Sequence, residues 1–463
     1  MVRTPCPGGV AAQRERIVEL LQRLVRINSE RAEACPGAPV GEGCAAALAL
    51  VLEECSKRGI ATHRLNDMVA WAQVGDRGPL AAFPVHLDVV PAGDGWSRDP
   101  YAGEIEDGIL YGRGAMDNKI STAILIELLG DLVSQTDELP CRLRLIFGTD
   151  EESGMGDMRS YLAAGCEQPR WGFVPDASFP VVRGEKARLH LRLTSASSMD
   201  GVEIVAGTMA NVVPDRAAAR VDARQLEHAA LDKLEHTGLI VRRGDGSVEL
   251  SACGRSAHGS CPERGENAAA SLLNALDGLL PRTSDVGRAA LADLSVLLCR
   301  DVHGEALGIA REDALFGPTT VNLGMVRLDS CGMSCELDVR FGRGLDQEEV
   351  LDRMLRAFGS AWSVEVLASK PVHLVDQDDP CLKVLLSAYE RVTGLPGSCS
   401  VMGGGTYASL LPALVAFGPK FPNTHCGAHG IDEHVALEDV ARATEVYREA
   451  LRGIISLADN EKE

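Results

Sequence analysis

His86 and Asp88 stand two positions apart at the end of an apolar run, FPVHLDVV, and Asp117 follows in GRGAMDNK. Residues i and i+2 of a β-strand point to the same face, so this imidazole and this carboxylate would lie side by side. Polar groups at a buried strand end need a partner, and a metal ion satisfies both at once. A hydrogen bond between the two side chains would satisfy them as well, so this segment alone leaves both interpretations open.

Three further clusters of ionisable residues stand directly after strand-like segments or before a helix-like segment. They contribute Asp150, Glu151 and Glu152 in GTDEESG, Asp176 in VPDASFP, and His425, His429 and His434 near the C-terminus. The carboxyl ends of strands in an α/β sheet are where such folds form binding sites. One acidic loop is usually only solvated, but four clusters in such positions favour a shared site.

The composition excludes some classes of function. The chain has 463 residues and a formal net charge of −20, which argues against binding to nucleic acid or to an anionic membrane surface. Its apolar runs are shorter than a membrane-spanning helix requires. The first residues lack the apolar core of a signal peptide, so we expect a cytoplasmic protein. The 14 cysteines form no CxxC pair, which favours reduced thiols over a disulfide framework.

The residue patterns predict an α/β domain that is formed by both ends of the chain. Strand-like segments alternate with helical segments, which is typical of a central mixed, mostly parallel sheet flanked by helices. The predicted strands lie near residues 69–74, 80–90 and 142–149, and the predicted helices lie near residues 11–27, 41–59, 119–133, 380–393 and 436–457.

A change of pattern near Glu185 predicts a second domain inserted into the first. KARLHLRLTS and three later segments alternate strictly between apolar and polar residues, as strands with one exposed face do. Among them lie helical patterns near residues 226–237, 265–280 and 346–358. We therefore predict one domain from residues 1–184 and 369–463 and an inserted α+β domain from residues 185–368.

Eight segments, taken in order, resemble those of a known family: HLDVVPAGDGW, GRGAMDNK, GTDEESG, VPDASFP, NVVPD, GRSAHGS, GGGTYA and AHGIDEH. The family is the co-catalytic di-metal aminopeptidases, carboxypeptidases and aminoacylases, and within it the PepV- and Sapep-type dipeptidases are most similar. The segments extend from His86 to Glu433, so the resemblance covers nearly the whole chain. It implies that the first domain is catalytic and that the inserted domain is its lid.

The resemblance implies two divalent cations and names their ligands. The first cation would be bound by His86 and Asp176, the second by Glu152 and His429, and both by the bridging Asp117. Glu151 would be the general base, and the Asp88 carboxylate would orient His86 through its other ring nitrogen. His425 is the alternative to His429. The family also often has a cis peptide bond after the bridging aspartate, so the bond between Asp117 and Asn118 is expected to be cis.

This ligand set suits the chemistry of peptide hydrolysis. The reaction needs a strong nucleophile, a polarised carbonyl and a proton for the leaving amine, and two metal ions about 3.5–4 Å apart supply the first two. Two imidazoles and three carboxylates without a thiolate favour Zn²⁺, with Mn²⁺ or Co²⁺ as alternatives. Glu151 would take a proton from the attacking water and return it to the amine.

The inserted domain and a glycine-rich segment supply the expected substrate contacts. His258 resembles the histidine that stabilises the oxyanion, and Asn211 resembles a further contact near the same oxygen. Arg340 resembles the arginine that binds the C-terminal carboxylate of a dipeptide, and Gly405 and Thr406 would help to bind it. Without the resemblance, an arginine on an alternating strand is usually solvated and Asn-x-x-Pro-Asp is a common turn.

Three functions remain open at this point. The first is a monomeric, metal-dependent dipeptidase that acts on small unblocked dipeptides. The second is an N-acyl amino acid deacylase or desuccinylase of the same family, which would not require a free α-amine. The third is a non-catalytic peptide-binding relative, which would have no need of Glu151. Ser409 stands where the family usually has arginine, so the preferred side chains are left open.

Overall fold

The computed structural model describes residues 7–135, 138–226, 239–281 and 285–460. The chain divides into two compact units. The first unit consists of Met1–Gly184, His373–Ser400 and Gly405–Glu463, and the second consists of Glu185–Val372 and Val401–Gly404. The helix predicted near residues 226–237 falls almost entirely outside the described ranges.

The described helices include most of those that the sequence predicts. They are α1 (Pro7–Val25), α2 (Glu42–Lys57), α3 (Lys119–Gln135), α4 (Gly156–Ala163), α5 (Ala268–Leu279), α6 (Val286–Leu298), α7 (Gln347–Phe358), α8 (Pro380–Thr393) and α9 (Leu437–Asn460). The sequence prediction lacks α4 and α6.

The described strands are more numerous than those predicted. They are β1 (Ala61–Arg64), β2 (Ala70–Val74), β3 (Leu80–His86), β4 (Glu104–Glu106), β5 (Ile109–Tyr111), β6 (Arg142–Gly148), β7 (Trp171–Val174), β8 (Ala177–Ser178), β9 (Val181–Glu185), β10 (Ala187–Ser195), β11 (Val202–Ala206), β12 (Arg216–Asp222), β13 (Ile240–Arg243), β14 (Ser247–Cys253), β15 (Glu312–Asp313), β16 (Gly317–Pro318), β17 (Thr320–Asp329), β18 (Gly332–Phe341), β19 (Ser363–Lys370), β20 (His373–Leu374), β21 (Cys399–Met402), β22 (Val415–Ala416), β23 (Pro419–Lys420) and β24 (His434–Ala436).

The main sheet of the first unit has parallel strands at its centre. Its order is β1-β2-β6-β3-β7-β22-β9-β20, in which β6, β3, β7 and β22 are parallel neighbours. Every residue of β3 is buried because apolar clusters cover both faces: Phe83 and Val85 belong to one cluster and Ala82 to the other. A parallel sheet covered on both faces requires continuous apolar runs. The predicted α/β fold class is confirmed.

The main sheet of the second unit pairs its strands antiparallel. Its order is β13-β14-β12-β11-β17-β18-β10-β19. In β10, Leu189, Leu191 and Leu193 are buried, whereas the residues between them are at least partly exposed. The buried leucines belong to one apolar cluster with α5, α6 and α7. One covered face explains the strict alternation of the sequence and confirms the predicted α+β architecture.

Two features of the described residues concern membrane insertion and disulfide bonds. Among the described helices, none is both long and apolar enough to cross a membrane. Each cysteine in the described ranges is a free thiol, and most of the buried ones pack as small apolar residues in the core clusters. These buried cysteines therefore serve as small apolar residues of the core.

Candidate metal centre

Three neighbouring parallel strands bring His86 and the acidic clusters to one edge of the first unit's sheet. Strand β3 ends at His86, which is opposite Gly148 at the end of β6. The loop after β6 carries Glu151 and Glu152. Strand β7 pairs with β3 on its other side and ends two residues before Asp176. Because parallel strands end at the same edge, the order of the sheet gathers these side chains.

Asp117 and His429 reach the same place from loops. The peptide bond between Asp117 and Asn118 is cis, as expected from the resemblance, and His429 has a positive φ of 60°. Nε2 of His86 lies 3.1 Å from Oδ1 of Asp117, and Nε2 of His429 lies 3.0 Å from Oδ2. One carboxylate therefore faces both histidines, one with each oxygen.

The remaining contacts sort the five predicted ligands into two sets that share Asp117. Oδ1 of Asp176 lies 3.6 Å from Nε2 of His86, and Oε1 of Glu152 lies 3.2 Å from Nε2 of His429. Glu151 is close as well: it offers an oxygen within 4.8 Å of the ligand atoms of His86 and Asp176. Ligand atoms of His86, Asp117 and Glu152 also lie within 4.8 Å of one another, so these side chains form one cluster, and their division between two metal ions stays a prediction.

Carboxylates dominate the electrostatics of this cluster. Burial disfavours protonation of His429, but the Asp117 and Glu152 carboxylates outweigh it and raise the pKa of His429 to about 11. Burial raises the pKa of Asp176 to about 6; the His86 contact acts against this rise, and the Asp117 and Glu152 charges add to it. A negative potential that favours a proton on histidine also favours a divalent cation.

Glu151 has an oxygen without a hydrogen-bond partner. Its Oε1 is buried and accepts no hydrogen bond from the described residues. Burial and the Asp176 charge raise the pKa of Glu151 well above its ordinary value, against the opposing effect of His86. A carboxyl group in this environment can accept and return a proton. A buried acceptor without a partner is costly unless water or a cation satisfies it, so the residues present fit a divalent metal centre.

Asp88 contacts His86 in a different way from the one expected. Nδ1 of His86 lies 3.0 Å from the backbone oxygen of Asp88, whereas the Asp88 carboxylate is 3.6 Å away from it. The carboxylate instead accepts a hydrogen bond of 3.0 Å from the backbone N–H of Glu152. Asp88 thus fixes the His86 ring with its backbone and the loop of Glu152 with its side chain.

The histidines near the C-terminus have different surroundings. His429 is half exposed and contacts Asp117 and Glu152. His425 is exposed. His434 is hydrogen-bonded through Nδ1 to the backbone oxygen of Asp432. The structure therefore brings His429, rather than its rival His425, to the acidic cluster.

The chain matches one protein-family model over most of its length. Residues 82–453 match the sequence model of peptidase family M20/M25/M40. This chain belongs to that family. The predicted resemblance to a di-metal peptidase family is confirmed, and the protein is a metallopeptidase.

A curated relative agrees with this assignment, and solved structures share the fold. A Bacillus subtilis (strain 168) protein named "Putative dipeptidase YtjP" is 32% identical over 457 residues, which cover 96% of this chain and 98% of the relative. Human carnosine dipeptidase 1 has a similar fold, with a TM-score of 0.58, 14% identity and coverage of 96% of this chain and 98% of that chain. So does a Bacillus subtilis protein described as a dinuclear metal binding peptidase from the M20 family, with a TM-score of 0.51, 13% identity and coverage of 96% and 99%.

In this M20 peptidase, Glu433 holds the loop that carries Asp117, a role that sequence reasoning missed. The Glu433 side chain is fully buried. It accepts hydrogen bonds from the backbone N–H groups of Gly114 (3.0 Å), Met116 (2.9 Å) and Asp117 (3.0 Å). Three backbone donors on one carboxylate fix the course of the loop up to Asp117 itself.

Arg113 extends this network to the loop of His429. Its Nη1 donates to Glu433 over 2.7 Å, and its Nη2 donates to the backbone oxygen of Gly430, the residue after His429, over 2.9 Å. Both Arg113 and Glu433 lie within motifs that carried the resemblance. Each of the two is a charged residue within or beside a glycine-containing segment, and this feature of the sequence could have indicated the pair.

Asp157 and Tyr407 fix the loop of the M20 peptidase that carries Glu151. Oδ2 of Asp157 accepts hydrogen bonds from the backbone N–H groups of Thr149 (2.6 Å) and Asp150 (2.8 Å) and from the Tyr407 hydroxyl (2.5 Å). A Cβ on Gly148 would lie only 2.0 Å from that hydroxyl oxygen. Only glycine therefore fits at the end of β6.

The predicted substrate contacts of the second unit lie on two parts of that unit. Asn211 and His258 belong to adjacent segments, since the Gly259 N–H donates to the backbone oxygen of Asn211 over 2.6 Å. His258 is exposed. Arg340 is buried, and its guanidinium donates to Asp338 and to the backbone oxygen of Gly403.

Gly405 and Thr406 belong to the first unit, where they precede a short 3₁₀ turn. The Thr406 hydroxyl accepts a hydrogen bond of 3.1 Å from the Ala408 N–H and so caps the turn Tyr407–Leu410. Ser409, which replaces the arginine usual in the family, donates its hydroxyl to the backbone oxygen of Thr406 over 2.8 Å. Ser409 thus stabilises this turn locally.

Proposed function

We propose that this M20 peptidase is a dipeptidase that hydrolyses the peptide bond of unblocked dipeptides with the help of two divalent cations. The observation that carries the proposal is the position of Asp117, whose two carboxylate oxygens face His86 and His429 separately. Relatives named as dipeptidases support the choice of substrate.

The proposed cation ligands are the five residues named from the sequence. One cation would be held by His86, Asp176 and Asp117, and the other by His429, Glu152 and the same Asp117. The donors are nitrogen and carboxylate oxygen, which favours Zn²⁺, with Mn²⁺ or Co²⁺ as alternatives. Such cations polarise the substrate carbonyl and lower the pKa of the attacking water.

Glu151 is the proposed general base. Its buried Oε1 forms no hydrogen bond with the described part of the chain, so this oxygen is free to accept a proton from the attacking water. The same oxygen would then give that proton to the nitrogen of the leaving amine. Asp88 supports this step because its carboxylate holds the backbone N–H of Glu152, the next residue.

We also propose substrate contacts for the remaining predicted residues. His258 would donate a hydrogen bond to the developing oxyanion and Asn211 would contact the same oxygen. Gly405 and Thr406 would contact the substrate carboxylate. Arg340, which is buried and donates to Asp338 and to the backbone oxygen of Gly403, would bind the C-terminal carboxylate of the dipeptide through its guanidinium.

A hydrolysis assay tests the dipeptidase function. We expect protein reconstituted with Zn²⁺, Mn²⁺ or Co²⁺ to cleave free dipeptides, and EDTA to abolish this activity because it removes the cations. The matched substrates are the same dipeptides with an N-terminal acetyl group, which should resist cleavage. Release of acetate from the blocked series would instead assign the protein to the deacylases. No turnover of either series with any metal would contradict an enzymatic function.

We further propose that the enzyme is a cytoplasmic monomer. Free cysteines throughout the described ranges fit a reducing compartment. The inserted domain would supply a lid from the same chain, so no second subunit would be needed to provide one. Light scattering coupled to size-exclusion chromatography should give a mass near 49.2 kDa, and a mass of twice that value would contradict the monomer.

A further inference from the structure

A buried serine between α1 and α2 holds the residues on either side of Asp88. Ser29 is 0% exposed, and its hydroxyl donates a hydrogen bond of 2.6 Å to the backbone oxygen of Leu87. Its own backbone oxygen accepts a hydrogen bond of 3.1 Å from the N–H of Val89. Two hydrogen bonds with one residue therefore fix the chain just before and just after Asp88.

The contacts of Ser29 begin where the pairing of the sheet ends. Strand β3 ends at His86, and its pairing with β6 ends there as well. The N–H of Leu87 still donates to the backbone oxygen of Gly148 over 2.9 Å. Ser29 therefore fixes Leu87 together with Gly148, and it fixes Val89, which lies beyond the end of the strand.

Asp88, which Ser29 holds in this way, contacts one proposed ligand of each cation. Its backbone oxygen lies 3.0 Å from Nδ1 of His86. Because a carbonyl oxygen only accepts hydrogen bonds, Nδ1 carries the proton, and in the neutral ring Nε2 keeps its lone pair for a cation. The Asp88 carboxylate accepts a hydrogen bond of 3.0 Å from the backbone N–H of Glu152, a proposed ligand of the other cation. A shift of Asp88 would therefore disturb both metal sites.

Contacts with α2 keep Ser29 itself in place. The Cys44 thiol donates to the backbone oxygen of Ser29 over 3.2 Å. The backbone oxygen of Asn28, the preceding residue, lies so close to α2 that a Cβ on Gly43 would be only 1.7 Å from it. Glycine allows this close approach of two backbone segments. The first turn of α2 therefore fixes the position from which Ser29 acts.

We infer that Ser29 is a positioning residue of the metal centre, which raises the affinity of both sites for their cations by fixing Asp88. This inference rests on the proposed two-cation function and adds a residue that is not itself a ligand. A serine with a purely structural role would stabilise the fold and leave the metal affinity unchanged. The metal affinity therefore separates the two roles.

The test is Ser29→Ala, which removes the hydroxyl and keeps the backbone contacts with Val89 and Cys44. Titration of the metal-free protein with Zn²⁺, followed by calorimetry, and with Co²⁺, followed by visible absorption, measures the Kd of each site. Loss of a residue that orients metal ligands weakens metal binding by roughly 10- to 100-fold. Because Ser29 acts through Asp88, we expect both Kd values to rise by roughly 10-fold, at the lower end of this range.

Ser295→Ala is the matched control. Ser295 lies on α6 of the second unit, is 2% exposed and donates its hydroxyl to Oδ1 of Asn274 over 2.8 Å. This variant also loses one hydroxyl hydrogen bond at a buried position, so each metal-free variant should have a lower urea midpoint than the wild type. Only Ser29→Ala should bind metal more weakly.

Three results would overturn the inference. They are unchanged Kd values in Ser29→Ala, an equal rise of the Kd values in Ser295→Ala, and a rise at only one of the two sites. A wild type that binds fewer than two cations would overturn the proposed two-cation function as well. A wild type that binds two cations, together with unchanged Kd values in Ser29→Ala, would overturn the role of Ser29 alone.

Discussion

Glu151→Gln is expected to lower kcat by roughly 10²- to 10⁴-fold while the protein still binds two divalent cations. Glutamine has nearly the same shape as glutamate, but its amide does not accept a proton near neutral pH. The carboxylate lies among Asp176, Glu152 and Asp88, whose charges, together with burial, raise its pKa. The measurement is kcat and metal content, by elemental analysis, on the same preparation.

Glu152→Gln is the comparison that separates proton transfer from metal binding. Oε1 of Glu152 lies 3.2 Å from Nε2 of His429, so this variant should lose one of the two cations, and its activity should fall with the metal content. Loss of metal in Glu151→Gln to the same degree would remove the basis for a general base. A nearly normal rate in Glu151→Gln with both cations bound would contradict the mechanism outright.

The parts of the site that lie at strand ends could be predicted from the sequence. A continuous apolar run identifies a strand buried on both faces, and the first polar residues after it are then fixed at the edge of the sheet. His86, Glu151, Glu152 and Asp176 were found in this way. Their mutual distances could not be predicted, because they depend on the order β6-β3-β7, which the residue pattern does not determine.

The parts of the site that depend on backbone partners could not be predicted. Spacing placed the Asp88 carboxylate beside His86, but the backbone oxygen of Asp88 is closer to the ring. A side-chain pattern does not show which backbone groups lie nearby. Likewise, Arg188 and Arg340 stand on neighbouring alternating strands and both contact Asp338. Arg340 also donates to the backbone oxygen of Gly403 and is buried, whereas Arg188 is partly exposed.

The sequence pattern also does not reveal helix α6, because a neighbouring helix has a similar composition. Helices α5 and α6 are both rich in alanine and leucine and follow each other closely in the sequence, so the periodic pattern of the first masks the start of the second. The start is fixed by Asp285, whose side chain accepts hydrogen bonds from the N–H groups of Gly287 and Arg288. Aspartate at this position is a strong helix-starting residue and could have indicated the boundary.

Glu433→Gln is expected to lower the free energy of unfolding by about 3–5 kcal/mol, because it leaves the buried Arg113 without its charged partner. Both side chains are 1% exposed and their closest atoms are 2.7 Å apart. The amide N–H₂ of glutamine would also face the backbone donors of Gly114 or Met116. The measurement is urea unfolding of the metal-free protein followed by tryptophan fluorescence. Glu438→Gln, an exposed glutamate five residues later, should change stability by no more than about 0.5 kcal/mol.

A double variant separates the charge of Glu433 from its packing. Arg113→Met added to Glu433→Gln removes the unpaired cation, so the double variant should be more stable than Glu433→Gln alone. The double variant should nevertheless bind less metal than the wild type. The N–H of Asp117 and the loop of His429 have both lost the groups that fix them. Additive losses of stability in the two single variants would show that the pair is not coupled. Full binding of both cations by the double variant would show that the ligands hold their positions without the Arg113–Glu433 pair, and that the pair stabilises the fold without organising the metal centre.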